Sequence, residues 1–304
     1  MKFKINNKGK YKNLSCRKCK SNNIIKRGFR LTENRGKIQR FSCKDCGIRF
    51  IIDDGFFRMR NNEKRITLCL DLFFRGVSTR KVQEHLQAFY PKNASWVSVY
   101  SWIVKYSNMI SNFTDKLNIN SGNEIQIDEM EFKTKGKPSW FVDVIDTKTR
   151  FMVPSSYVRS REKQQIKEML FSIKNRTNGN VKKITTDGFN LYRKVVKKSF
   201  GYNKKLGKYN VEHNIVNSSQ GEGFNIMIER LHNNVRQRTK TFRGFHGSIE
   251  SANAIMKGYE IFYNFITKHQ AINKCPYELA IPELILTSEN RWLELIKLSK
   301  EKDI

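Results

Sequence analysis

Glu124-Ile-Gln-Ile-Asp-Glu-Met-Glu-Phe132 is where the hydrophobic period of this 304-residue chain changes, and its reading decides the fold. Over residues 61–112 apolar side chains recur at helical spacing. From Glu124 onward they fall into short β-branched runs, the signature of strands. Ile125 and Ile127 open a first strand, residues 140–145 a second and residues 151–158 a third, with Asp146-Thr-Lys-Thr-Arg150 as a hairpin-like turn between the last two. A helix over residues 160–179 follows, carrying Ile166, Met169, Leu170 and Ile173. Next come a strand at 182–186, a helix at 189–200, a short strand at 211–216 and a basic helix at 226–241 preceded by Gly221 and Gly223. Residues 247–268 keep one apolar stripe that reads as core, and residues 293–298 fit a last amphipathic turn. This order predicts a mixed α/β domain with a helical C-terminus.

Three carboxylates stand at telling places in that order. Asp128 lies in the quoted strand, Asp187 ends the strand in Lys183-Ile-Thr-Thr-Asp-Gly-Phe189, and Glu229 sits on the helix of Asn225-Ile-Met-Ile-Glu-Arg-Leu-His-Asn233. Magnesium takes carboxylate oxygens and keeps several waters, so a few acids suffice to hold it. Singly, each of these residues is more often a solvated surface group; the element order and the basic context single them out. Asp146 reads as a turn residue, and strand alternation places Glu129 and Glu131 on the face opposite Asp128.

The chain carries 58 Lys+Arg against 28 Asp+Glu, a formal net charge of +30. Self-repulsion of that size calls for a polyanion, and nucleic acid fits. The aromatic content of 12% and the regular patterning exclude a disordered basic tail. No run approaches the roughly 18 apolar residues that span a bilayer, so the expectation is a cytoplasmic, nucleoid-associated protein with reduced thiols. Cys16-Arg-Lys-Cys19 and Cys43-Lys-Asp-Cys46 are two Cys-x-x-Cys knuckles, the spacing of a four-cysteine zinc site with strands between them. Residues 1–60 hold 18 Lys+Arg and 4 Asp+Glu, a net +14, which points the ribbon and its basic arm toward DNA. Residues 61–112 read as three helices with a tight turn at Gly76-Val-Ser78, a helix-turn-helix in which Arg80 and Lys81 are DNA-contact candidates. Ser- and Asn-rich residues 108–123 read as a linker. The expected domains are a zinc ribbon at 1–60, the helix-turn-helix at 61–112, a linker at 113–123, the α/β domain at 124–282 and a helical tail at 283–304. Cys69 and Cys275, in apolar or turn settings, read as structural.

Ile127-Asp-Glu129, Thr185-Thr-Asp-Gly188 and Asn225-Ile-Met-Ile-Glu-Arg-Leu-His232 resemble the three sequence blocks of DDE transposases of bacterial and archaeal insertion sequences, whose core is retroviral-integrase-like and ribonuclease H-like. Phe262-Tyr-Asn-Phe-Ile-Thr-Lys-His269 and Pro276-Tyr-Glu-Leu-Ala280 resemble their C-terminal block. The resemblance spans about residues 61–282. It implies that Asp128, Asp187 and Glu229 hold two Mg2+ or Mn2+ ions, with Asp128 between them. It also implies cutting at transposon ends and joining of a 3′-hydroxyl to target DNA. Arg236, Arg238 and Lys240 match the family's basic residues after the Glu and become phosphate contacts. His232, one turn beyond Glu229, reads equally as an orienting group or a packing residue. Partners are then double-stranded DNA and further copies of the chain, as a dimer or larger synaptic complex. Two other readings share these DNA-binding modules: a non-catalytic regulator, which does not cut, and a nuclease, which cuts without joining.

Overall fold

The structure, a computed structural model, describes residues 14–33, 35–90, 94–216, 225–242 and 244–301. The basic arm before residue 14, and Gly221 and Gly223, lie outside the described residues. Two compact units emerge, one of Met1–Phe73, Thr79–Trp102 and Ile285–Ile304, the other of Phe74–Ser78 and Ile103–Leu284.

In the first unit, β1 (Ile24–Thr32), β2 (Gly36–Cys43) and β3 (Arg49–Ile51) form an antiparallel sheet in that order. β1 is exposed along most of its length, while Cys16, Phe41 and Cys43 are buried, so the sheet closes over its cysteines rather than over an apolar core. This is the zinc-ribbon arrangement the knuckles predict. α1 (Glu63–Phe74), α2 (Thr79–Phe89) and α3 (Trp96–Thr114) follow. Their apolar stripes bury Ile66, Leu70, Val82, Leu86 and Val99.

α3 is longer than the sequence suggests. Residues 108–114, expected as the start of a linker, continue the helix. Their polar residues mask Ile110 and Phe113, both buried in the second unit. The end of α3 is fixed from a distance: Arg176 Nη2 donates to the Thr114 carbonyl at 3.1 Å and Nε to Leu117 at 3.2 Å, satisfying oxygens that a helix terminus leaves free.

The second unit is built on β4 (Glu124–Thr134), β5 (Lys137–Asp146) and β6 (Met152–Val158), antiparallel neighbours. After α4 (Lys163–Arg176), β7 (Lys183–Thr186) returns parallel to β4. Then come α5 (Asn190–Phe200) and a small hairpin, β8 (Tyr202–Asn203) and β9 (Lys208–Tyr209). β10 (Glu212–Ile215) lies parallel to β7. The sheet order is β10-β7-β4-β5-β6, the ribonuclease H-like arrangement. β4, the middle strand, is paired on both sides and buries Ile125, Gln126 and Ile127 in succession, as a central strand does. It reaches Thr134, well past the run that announced it, because Lys135 and Gly136 both adopt positive φ (51° and 75°) and turn the chain directly into β5. Asp146 is the turn residue expected: its carboxylate accepts from Thr149 N at 2.9 Å and from Gly122 N at 2.9 Å.

α6 (Ile226–Thr239) packs on β4 and β5, and α7 (Ile249–Ile261) lies along β6, continuing as a π-helical segment Phe262–Ile266. α7 caps the open side of this edge strand with its own side chains. Asn264 exchanges two 2.8 Å hydrogen bonds with the Met152 backbone, Glu260 accepts from Ser155 N at 3.2 Å, and Asn253 accepts from Tyr157 N at 3.1 Å. α8 (Tyr277–Ala280) follows, and the chain returns to the first unit with α9 (Arg291–Glu301). Expected as an appended tail, α9 is instead tied to α1 by Trp292 Nε1 to Asp71 at 3.3 Å and Lys297 to Glu63 at 3.3 Å.

Gly258 on α7 marks a close approach of packed side chains rather than a flexible joint. A Cβ there would collide with the Phe74 ring and the Ser107 hydroxyl. Alanine gains about 1 kcal/mol of helix propensity, but overpacking a core costs about 1–3 kcal/mol. Gly258→Ala should therefore lower stability in chemical denaturation; a midpoint at or above wild type would contradict the close approach.

Candidate active site

The parallel pairing of β7 with β4 ends at Ile127 and Thr186. Asp128 and Asp187 are the next residue on each strand, so adjacent strands deliver two acids to one point. Glu129 joins them: the ligand oxygens of Asp128, Glu129 and Asp187 all lie within 4.8 Å of one another. Strand alternation does send Glu129 toward the α5 face, where Tyr192 Oη donates to it at 2.9 Å. Asp187, just past the end of β7, is reachable from both faces, and this is why alternation did not keep Glu129 out. Asp187 is held by its own turn, accepting from Phe189 N at 3.0 Å.

On the other face β4 docks α6 twice. Gln126 accepts from the first-turn amide of Ile228 at 3.1 Å, and Asp128 lies 3.5 Å from His232 Nδ1. The far nitrogen of His232 contacts Asp143 at 2.8 Å. Asp143, paired directly with Asp128 across β4 and β5, is fully buried. Buried His232 thus stands between two aspartates, and Asp143 is a neighbour of Asp128 that the sequence did not single out. Only the cross-strand register, unknown before the structure, could have found it.

Glu229 is exposed, in the first turn of α6, three residues before His232 on the same helix face. The structure does not bring it into the cluster of the other three acids. Arg236, one turn beyond His232, is exposed, and its charge is felt at both Asp143 and His232. With Lys240 it borders a groove of about 500 Å³. Arg238 donates through Nη1 to the Arg75 carbonyl. Arg80 and Lys81 are exposed on α2, Arg80 stacking over Trp96 at 4.9 Å.

Partial burial and the crowding of acids set the electrostatics of the site. Burial pushes Asp128 up to about 6, against the pull of His232. Burial likewise pushes Glu129 up to about 7, with Asp187 and Asp128 adding repulsion. His232 loses charge affinity through burial, but Asp143 and Asp128 more than offset this and its pKa is raised. An all-oxygen donor set with carboxylates held reluctantly neutral suits a hard divalent cation.

The cysteines form the second cluster. Cys16, Cys19, Cys43 and Cys46 bring their sulfurs within 4.8 Å of one another, with Cys16–Cys46 and Cys19–Cys43 at 3.5 Å. Tetrahedral ligands at about 2.3 Å from one ion stand ~3.8 Å apart, while a disulfide needs about 2.05 Å. The spacing fits four ligands on one cation. The Cys16 thiol is lowered to about 6, foremost by the Cys19 amide, while burial and the neighbouring thiols push Cys19 up to about 12 and raise Cys46, so the crowded cluster favours one thiolate among its members. Cys69 and Cys275 are buried, and burial pushes Cys69 up to about 12, as befits inert core thiols.

Asp128 and Glu129 keep their protons in the folded chain at pH values where the unfolded chain has lost them. The stability they contribute is complete below the ordinary carboxylate pKa near 4 and is lost as pH rises through 6 to 7. In metal-free protein the melting temperature of wild type, relative to an Asp128→Asn/Glu129→Gln variant, should fall between about pH 5 and about pH 8. Added Mn2+ should restore it at the higher pH in wild type alone. A difference that does not change with pH would contradict the burial of these acids.

The sequence model of a family described as a DDE domain matches residues 122–270. Among solved structures, the integrase catalytic core domain of HTLV-2 in complex with magnesium is similar at 14% identity and a TM-score of 0.37, covering 54% of this chain and 97% of that one. A simian T-cell lymphotropic virus intasome in complex with the PP2A regulatory subunit B56 gamma is similar at 12% identity and a TM-score of 0.40, covering 69% and 73%. No curated protein matches the chain. The match to the DDE-domain family model encloses the whole acidic cluster, His232 and α6.

Proposed function

We propose that the chain is a metal-dependent DNA transposase that cuts at the ends of its own element and joins the 3′-hydroxyl to target DNA. The observation that carries this reading is the convergence of Asp128 and Asp187 at the paired ends of β4 and β7, within a chain of net charge +30. The match of residues 122–270 to the DDE-domain family model supports it.

Two divalent ions at such a site would acidify a water or a 3′-hydroxyl and neutralise charge on the phosphodiester. Asp128 and Asp187 are the residues to hold them. Glu229 is our third ligand from α6, and Glu129 the rival the structure offers. His232, braced by buried Asp143, fixes the direction of the Asp128 carboxylate through its 3.5 Å contact. Arg236, in the last turn of α6, and Lys240, the residue that caps its C-terminus, bind the phosphates beside the site. Arg161, stacked on Phe189 at 4.5 Å and felt by Glu129, adds a cation on the α5 side. Cys16, Cys19, Cys43 and Cys46 would hold one zinc ion, which supplies the folding energy the ribbon's sparse core does not. The ribbon and α2, with Arg80 and Lys81, bind duplex DNA, and two copies or more gather the two ends.

The test is incubation of the full chain with DNA flanking its coding sequence, Mg2+ and a target plasmid. Joined products are expected, and their loss with Asp128→Asn, Asp187→Asn or Glu229→Gln. Cutting without joining would make the chain a nuclease; binding without cutting, a regulator. Full joining by Glu229→Gln with loss in Glu129→Gln would transfer the third role to Glu129. Elemental analysis of purified protein should show one zinc per chain, lost in Cys43→Ser along with the ordered ribbon; a zinc-free, folded wild-type ribbon would refute the metal site.

A further inference from the structure

The stretch between Asp187 and Glu212 holds seven Lys and Arg and no acid. On α5, Arg193 and Lys197 form one row at i,i+4 spacing, and Lys194 and Lys198 a second. Like charges at that spacing destabilise a helix, and no carboxylate on α5 offsets them. The buried face of the helix, Tyr192, Val195, Val196 and Phe200, points these rows outward. The field is felt nearby: His213 is lowered to about 4, first by burial and then by Lys197 and Arg193.

α5 runs into the β8–β9 hairpin, inside the Lys-rich stretch 194–208 that lengthens the gap between Asp187 and Glu229 and that the sequence offers as an insertion contacting DNA. The hairpin is built, not slack. Asn203 Oδ1 accepts from Lys205 N at 3.0 Å and Leu206 N at 3.2 Å, which orders the tip. Asn210 Nδ2 donates to the Phe200 carbonyl at 3.1 Å and Asn210 N to Gly201 at 3.0 Å, which anchors the base. Tyr202 and Tyr209 pack edge to face at 5.2 Å, with Lys197 over the Tyr209 ring at 5.5 Å. The tip presents Leu206, 65% exposed, between Lys205 and Lys208. Beneath it lies a cleft of about 830 Å³ lined by Lys174, Lys182, Lys197 and Lys208, with Glu212 as its one acid. An apolar tip flanked by cations on an ordered ribbon has the chemistry of a groove wedge: cations for phosphates, an alkyl group for the base steps.

Topology gives this surface a direction. β10 runs parallel to β7 and begins opposite Lys183, so the hairpin lies at the end of the sheet away from Asp187. The eleven residues of α5 bridge that distance, about 16 Å at 1.5 Å per residue, or roughly five base steps at 3.4 Å. We propose that the basic rows of α5 and the β8–β9 hairpin form a second duplex-DNA contact, in which lysines hold phosphates leading away from the acidic cluster and Leu206 enters a groove. This rests on the reading of the chain as a DNA-processing enzyme and adds a site to it.

The experiment is a salt titration of binding to two labelled duplexes, one of DNA flanking the coding sequence and one unrelated. Wild type is compared with Lys204→Gln/Lys205→Gln/Lys208→Gln and with a charge-matched control, Lys116→Gln/Lys148→Gln/Lys268→Gln. Each lost phosphate contact lowers the slope of log K against log salt by about 0.9. The hairpin variant should lose about 2–3 from that slope and the control little, while Leu206→Ala should weaken binding with the slope unchanged. A fall on the flanking duplex alone assigns the contact to element ends, and a fall on both assigns it to DNA generally. A wild-type slope in the hairpin variant, or an equal fall in the control, overturns the proposal. Wild-type protein that binds with this signature but never cuts or joins would refute the transposase reading and leave the contact standing.

Discussion

Two aspartates face each other across β4 and β5, one of them fully buried, and the site depends on the imidazole set against both. Like charges directly opposed weaken a sheet, and a buried charge without a partner is costlier still. His232 answers both problems at once. Because it belongs to α6, the same contact fastens that helix to the sheet, with Gln126 holding its first turn. Helix geometry then sets what else α6 can offer: Glu229 one turn before, Arg236 one turn after. The acid and the base are placed by a residue whose own side chain is buried.

Much of this was legible in the chain because it is local. Strand runs, the turn at Asp146 and the two cysteine knuckles each depend on residues close in sequence. What escaped depends on residues far apart. Asp143 became a site residue through the β4–β5 register. Glu129 entered the cluster because β7 stops at Thr186, which no pattern within β4 reveals. The end of α3 is set by Arg176, sixty-odd positions away. Short strands fail differently: β8 and β9 have two residues each, too few for any period to register.

The chain keeps two ligand chemistries separate. Sulfur gathers in the ribbon of one unit and carboxylate oxygen in the sheet of the other. Soft or borderline ions prefer the former and hard ions the latter, so neither cluster competes for the ion suited to its counterpart. The burden of folding also differs. The sheet has a large apolar core and tolerates repelling acids at its rim, whereas the ribbon, nearly coreless, leans on its sulfurs.

The treatment of β6 has a bearing on how copies of the chain can meet. Most sheets end in a row of unused amides and carbonyls that invites a foreign strand. Here Asn253, Glu260 and Asn264 occupy that row. Recruitment of a neighbour by continuing the sheet past β6 is thereby closed off, and crowding many copies of the chain together carries less danger of their zipping into fibrils from that side.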